Sequence, residues 1–103
     1  KNMNKKFFIQ VNTGMEKQKS GIFPSYSSSF IDFCQQDLHL SIIGLMCIPP
    51  INDDPTKHFV KLKNLAEKKD LRFLSMGMSA DYKKALIIGA THVRIGTLLF
   101  GNR

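Results

Sequence analysis

The sequence has few of the residues that mark disulfide-bonded, metal-binding or membrane-spanning proteins. Its two cysteines, Cys34 and Cys47, form no metal-binding spacing. Cys47 lies in an apolar run, where a thiol packs as a small hydrophobic side chain. No apolar stretch is long enough to span a bilayer, and the lysines of residues 1–6 are not followed by a signal-peptide core. We therefore expect a cytoplasmic chain without a disulfide framework, a metal ion or a membrane anchor.

The common catalytic signatures are missing as well. No serine lies in a nucleophile elbow, and there is no Gly-x-Gly-x-x-Gly run. His39, His58 and His92 have no metal-ligand spacing to one another. The sequence therefore predicts no catalytic residue and no metal ligand.

Acidic residues are scarce, with 8 Asp and Glu against 15 Lys and Arg, for a net charge of +7. Such a balance permits binding to nucleic acid, anionic membranes or phosphorylated small molecules. The basic residues are scattered over separate segments, and several lie on predicted helices, where a solvated face explains them. Nucleic-acid binding is thus weakly indicated, and a small basic module for anions or nucleic acid stays an alternative.

The 103 residues suffice for one domain, and apolar runs alternate with helical patterns along it. Nearly continuous apolar runs predict four parallel strands covered on both faces, at Phe7–Val11, Leu40–Ile48, Leu71–Met76 and His92–Gly96. Helices are predicted at Ser29–Asp37, Pro55–Lys69 and Ala80–Ile88, with a helical turn at Thr97–Phe100 and a loop at residues 21–29. This order is typical of an α/β fold, either a small open sheet or half of a (β/α)₈ barrel.

Two of the helices carry recognisable start signals. Asp54 and Pro55 suit the cap and first turn of the second helix, and Ser79 suits the cap of the third.

Ligands of parallel α/β folds bind at the carboxyl ends of the strands. The third predicted strand runs into Gly77 and Ser79, and the fourth runs through Arg94 into Gly96 and Thr97. Each end joins a glycine to a nearby hydroxyl, which suits a phosphate group. Alternatively, Ser79 is a plain helix cap and Arg94 reaches the surface.

Two other strand-end residues have open interpretations. Gly44 leaves space for a planar ligand or for a close helix. Asn12 is a ligand contact or a turn residue.

Ordered motifs resemble the pyridoxal phosphate homeostasis proteins, also described as YggS-like or as proline-synthase-co-transcribed homologues, which are related to the alanine racemase N-terminal barrel. The similarity runs across nearly the whole chain. It lies in Phe8-Ile9-Gln10-Val11-Asn12, in Glu16, Lys19, Ser20 and Gly21, in Gly44-Leu45-Met46, in Leu74-Ser75-Met76-Gly77-Met78-Ser79 with Asp81, in Val93-Arg94-Ile95-Gly96-Thr97, and in Phe100-Gly101 with Arg103.

This resemblance implies a (β/α)₈ barrel that holds pyridoxal 5′-phosphate at its carboxyl-end mouth. Residues Gly77, Met78 and Ser79 match one phosphate-holding segment, and Gly96 and Thr97 match the second. Arg94 matches the arginine that faces the pyridine nitrogen, where a guanidinium opposes protonation of the ring. The family is regarded as a cofactor carrier or regulator without a firmly established enzyme activity.

In that family the lysine that forms the Schiff base lies on the first barrel strand. No lysine of this chain occupies that motif, and the chain matches only strands five to eight. The resemblance thus implies the C-terminal half of a barrel, with pyridoxal phosphate as its cofactor, partnered by the missing N-terminal half or by self-association through exposed sheet edges. Part of a split, racemase-like enzyme is an alternative.

Overall fold

The computed structural model describes residues 5–94. Strands and helices alternate along them, as the sequence predicts. The elements are β1 (Lys6–Gln10), α1 (Pro24–Asp32, continued by a π-helical turn at Phe33–Asp37), β2 (Ser41–Met46), α2 (Pro55–Lys68), β3 (Phe73–Met78), α3 (Tyr82–Ile88) and β4 (His92–Arg94).

The four strands form one parallel sheet in the order β1-β2-β3-β4. Opposite β1, Phe7 pairs with Ile42 and Phe8 with Gly44, so that Ile43 is an extra, bulged residue on β2. Such a bulge bends the strand that carries it and increases its twist. The predicted parallel α/β fold is confirmed.

The sheet is curled so strongly that its two outer strands face each other. The ring centroids of Phe8 on β1 and His92 on β4 lie 5.2 Å apart, and those of Phe73 on β3 and His92 lie 5.8 Å apart. Neighbouring strands are about 4.8 Å apart, so a flat sheet would hold β1 and β4 roughly 14 Å from each other. This concave face therefore has the curvature of a barrel wall.

The opposite, convex face carries the helices and the hydrophobic core. Phe59, Leu62 and Ala66 recur at helical spacing on α2 and are fully or almost fully buried. They belong to one cluster with strand and helix residues that also include Ile9, Ile31, Leu45, Leu74, Met76 and Ala85. Cys34 and Cys47 are buried in the same cluster, as expected of Cys47.

Helix α1 begins earlier than the sequence predicts, so the loop assignment of residues 21–29 was wrong from Pro24 onward. Pro24 occupies the first turn, where its fixed φ suits a helix. The serines behind it do not break the helix, because the hydroxyls of Ser27 and Ser29 donate to the carbonyls three residues earlier. Buried Ile31 then anchors the helix to the core.

The predicted start of α2 is confirmed, and that of α3 is wrong. The Asp54 carboxylate accepts a hydrogen bond of 3.0 Å from the Thr56 N–H, and Pro55 follows it. Helix α3 begins only at Tyr82, so Ser79 lies in the turn before it and does not cap it. The reason is a tight turn at the end of β3, in which the Asp81 N–H donates to the Met78 carbonyl.

The predicted end of the fourth strand and the helical turn at Thr97–Phe100 lie outside the described residues. Within residues 5–94, no helix combines the length and apolar composition that crossing a membrane requires.

Candidate functional site

The carboxyl ends of β3 and β4 lie side by side at one edge of the sheet. Met78 at the end of β3 is the register partner of Arg94 at the end of β4. Gly77 and Ser79 flank Met78 along the chain. The structure thus brings together four of the six site residues that the sequence predicts, and the other two, Gly96 and Thr97, lie outside the described residues.

Gly77 has a backbone conformation that favours glycine, with φ at +102°. A Cβ atom at this position would lie 2.7 Å from the Cβ of Ala85 on α3 and 3.3 Å from Val93 Cγ1 on β4. The glycine therefore faces the helix layer, where it lets α3 approach the strand ends. It shapes the edge without adding a side chain to it.

The turn after β3 is held by Asp81. The Met78 N–H donates to Asp81 Oδ1 at 2.7 Å, and the Asp81 N–H donates back to the Met78 carbonyl at 3.0 Å. Because both groups are satisfied within the turn, the Met78 amide is not available to an anion. A cleft of about 370 Å³ opens beside this turn, lined by residues that include Ile48, Pro50, Met78, Asp81 and Lys84.

The orientation of the Arg94 side chain follows from that of the two residues before it on β4. The ring of His92 lies on the concave face, against Phe8 and Phe73. Val93 Cγ1 lies on the helix side, beside Gly77. Since strand side chains alternate, Arg94 is on the concave face, one layer nearer the carboxyl end than His92. That face is open in this chain, and Arg94 is exposed.

Asn12 is a turn residue in this structure, one of the two interpretations that the sequence leaves open. Its Oδ1 accepts from the Glu16 N–H at 3.1 Å, and its Nδ2 donates to the Glu16 carbonyl at 2.7 Å. The side chain is 5% exposed and fixes the turn that follows β1.

Gly44 fits neither of its two interpretations. A Cβ atom there would collide with the carbonyl oxygen and Cβ of Phe73 on the neighbouring strand. The glycine is needed because β2 and β3 approach each other closely.

A second polar cluster, at the carboxyl ends of β1 and β2, is one that the sequence did not predict. His58 on α2 is buried, with Nδ1 3.0 Å from Thr13 Oγ1 and Nε2 2.9 Å from Asp53 Oδ2. Lys57 Nζ lies 3.1 Å from the other oxygen of Asp53. The His58 and Lys57 contacts, in that order, lower the pKa of Asp53 to about 2. The sequence gives one signal for this cluster: His58 comes directly before the buried Phe59 of α2.

The buried thiol of Cys47 lies next to Thr13 of this cluster. Burial raises the pKa of Cys47 to about 12, which the Thr13 hydroxyl opposes by hydrogen bonding to the thiol. The charge of Asp81 adds to the increase, and that of Arg94 opposes it. Cys47 is therefore a neutral thiol at neutral pH, without nucleophilic character.

No group of three or more potential metal ligands occurs among residues 5–94. At the ends of β3 and β4 the Arg94 guanidinium and the Ser79 hydroxyl suit an anion, and the Asp81 carboxylate already accepts from the Met78 N–H.

Comparison with known proteins gives one family and a consistent set of relatives. The family model for the N-terminal domain of alanine racemase matches residues 1–103. A pyridoxal phosphate homeostasis protein of Aquifex aeolicus is 38% identical over 92% of this chain and 46% of its own length. The human protein of that name is 36% identical over 95% of this chain and 40% of its own length.

Solved structures agree with these relatives. PipY of Synechococcus elongatus, solved without pyridoxal phosphate, superposes with a TM-score of 0.83 at 31% identity, over 93% of this chain and 49% of PipY. PipY with pyridoxal phosphate bound superposes with a TM-score of 0.72 at 29% identity, over the same shares. The chain spans about half the length of the relatives it matches, and its four strands form half of a (β/α)₈-type barrel.

Proposed function

Because the chain belongs to the family of alanine racemase N-terminal domains, we propose that it forms the C-terminal half, strands five to eight, of a barrel that binds pyridoxal 5′-phosphate. In this proposal the chain contributes residues that hold the phosphate and the arginine that faces the ring nitrogen. The complementary half supplies the lysine that carries the cofactor. The relatives are pyridoxal phosphate homeostasis proteins, and PipY binds pyridoxal phosphate.

The observation that carries this proposal is the pairing of Met78 with Arg94. It holds the Gly77–Ser79 segment beside the start of the segment that contains Gly96 and Thr97. An anion at this edge can therefore be contacted from both segments. The Met78 N–H already donates to Asp81. In the Gly77–Ser79 segment the phosphate is therefore contacted by the Ser79 hydroxyl and by the backbone amides after Met78.

The residues present fit the cofactor in charge and position. Gly77 keeps α3 close to the edge, and the permanently charged Arg94 stands on the open concave face. When bound, pyridoxal phosphate supplies an electron-withdrawing ring. A guanidinium that faces the ring nitrogen opposes its protonation by like-charge repulsion and so weakens that withdrawal. This arrangement favours carrying the cofactor over carbanion chemistry, and we assign no catalytic residue to the chain.

The test is a single-chain chimera in which the part of the Aquifex aeolicus relative that this chain does not match is joined to residues 1–103. We expect the chimera to bind pyridoxal phosphate, followed by absorbance, and Ser79→Ala to weaken binding about three- to tenfold through one lost hydrogen bond. Arg94→Gln should raise the pH at which the bound cofactor changes its spectrum, because removing the charge permits protonation of the ring nitrogen.

The matched control is Arg72→Gln, which removes the same charge just before β3, at the other end of the sheet. It should leave both affinity and spectrum unchanged. If Arg94→Gln behaves like Arg72→Gln, the ring-nitrogen assignment is wrong.

A further inference from the structure

Three hydrogen-bonded side chains join the segment after β1 to the loop and helix that follow β2, beside the candidate site. Thr13 follows β1, Asp53 lies in the loop between β2 and α2, and His58 is in the first turns of α2. His58 bridges the other two through its two ring nitrogens, at 3.0 and 2.9 Å. We call these three residues the mouth relay.

The direction of the hydrogen bonds in the mouth relay follows from Asp53. Its two oxygens are contacted by the His58 ring, the Lys57 ammonium group and the Asp54 N–H. These partners lower the pKa of Asp53 to about 2. An ionised carboxylate only accepts, so His58 Nε2 must carry the proton. In the neutral imidazole Nδ1 is then the acceptor, and the Thr13 hydroxyl donates to it.

Burial shows what the mouth relay can do. Thr13 and His58 are 2% and 4% exposed, so the Thr13 hydroxyl has no room for a substrate, even though carboxylate, imidazole and hydroxyl are ordered as in a nucleophilic triad. Groups this deeply buried are costly to leave unpaired. Loss of the bond between Thr13 and His58 would therefore leave a buried polar group unpaired.

The segments that the mouth relay joins form part of the carboxyl-end mouth. Gly14, next to Thr13, packs directly against the ring of Pro50 from the loop after β2. The same loop lines the cleft beside Met78. The buried thiol of Cys47 lies close to the Thr13 hydroxyl.

We propose that His58 is a positioning residue, which fixes the loop after β1 and the loop after β2 relative to each other and thereby shapes the mouth beside the cofactor site. The arrangement of the loops stands on the structure alone. Its effect on the cofactor rests on the proposed function, and the two parts are measured separately.

The first measurement uses the 103-residue chain without cofactor. Long-range nitrogen–proton NMR spectra should find His58 as the Nε2–H tautomer at neutral pH. In a Cys34→Ala background, the labelling rate of Cys47 by a thiol reagent reports opening of the mouth relay. His58→Leu and Thr13→Val should each raise that rate at least about fivefold, because each leaves a buried polar partner unsatisfied.

The conservative variants separate positioning from simple packing. His58→Gln offers one acceptor and one donor in place of the ring nitrogens, and Thr13→Ser keeps the hydroxyl. Both should label at close to the wild-type rate. An Nδ1–H tautomer, or a His58→Leu rate equal to that of the wild type, would overturn the proposal.

The second measurement gives the affinity of the chimera for pyridoxal phosphate. His58→Leu should lower it at least about fivefold, and His58→Gln should largely restore it. If the wild-type chimera and its His58→Leu variant bind pyridoxal phosphate with equal affinity, the mouth relay does not shape the cofactor site. A wild-type chimera that does not bind contradicts the proposed function, and the tautomer and labelling results then decide the loop arrangement by themselves.

Discussion

The ring of His92 on β4 lies 5.2 Å from the ring of Phe8 on β1, in an edge-to-face contact across two intervening strands. Such contacts between aromatic rings are favourable beyond the area they bury. The contact shows that the His92 side chain lies on the concave face of the sheet. Arg94, two residues further along, lies on the same concave face, where the proposed function puts the cofactor.

The open side of β1 predicts association. At the carboxyl end of β1 this edge is covered by Ile22, which pairs with Val11, but residues 6–9 have no partner on that side among the described residues. An apolar groove lined by Phe7, Ile9 and Phe30 lies alongside. Unpaired edges recruit other strands, so sedimentation should find the chain self-associated.

Supplying the complementary part of the Aquifex aeolicus relative as a separate chain should convert these assemblies into a one-to-one complex. A monodisperse monomer at all concentrations, indifferent to that partner, would contradict the account of the edge.

Substitution of Gly44 should destabilise the sheet. In Gly44→Ala the new methyl group meets the carbonyl of Phe73, and β2 and β3 must separate. We expect a loss of about 1–3 kcal/mol in the free energy of unfolding, as for other overpacked sites. Ser41→Ala, at an exposed position of the same strand, is the control and should change stability by less than about 0.5 kcal/mol. Equal unfolding midpoints would mean that the strands are not in close contact there.

The low pKa of Asp53 predicts a specific acid dependence. Its contacts with His58 and Lys57 lower the pKa from 3.8 to about 2 in the folded chain. The contribution to stability is therefore complete above the unfolded value and is lost as the pH falls from about 4 to about 2. Urea unfolding of the wild type and Asp53→Asn should give a stability difference that shrinks through this window.

Asp37→Asn, at an exposed position that ends the π-helical turn, is the matched charge control for that experiment. Its difference from the wild type should not follow the same profile. A difference for Asp53→Asn that stays constant from pH 7 to pH 2 would show that the carboxylate is not held by its partners.

Periodicity predicted the fold well, because apolar runs and helix caps act locally. Asp54 and Pro55 start α2 as expected, since both signals lie within one turn. The sequence placed the start of α1 too late. Its serine hydroxyls donate to carbonyls of the same helix, and composition alone does not reveal these hydrogen bonds.

The candidate site was predictable only in part. Gly77 and Ser79 stand out as turn residues, but the role of Asp81 in binding the Met78 amide depends on the actual path of the turn. The mouth relay was invisible because Thr13 and His58 are 45 residues apart and meet only in the folded chain.

Nitrogen–proton NMR tests most directly whether residues 77–79 and 94–97 hold the phosphate. The isotope-labelled chain is assembled with the unlabelled complementary part and titrated with pyridoxal phosphate. If these segments hold the phosphate, the amide signals of Gly77, Ser79, Gly96 and Thr97 will move together and saturate, while those of Gly14 and Gly89 stay in place. Saturating shifts confined to the groove at the β1 edge, with residues 77–79 and 94–97 unaffected, would contradict this assignment.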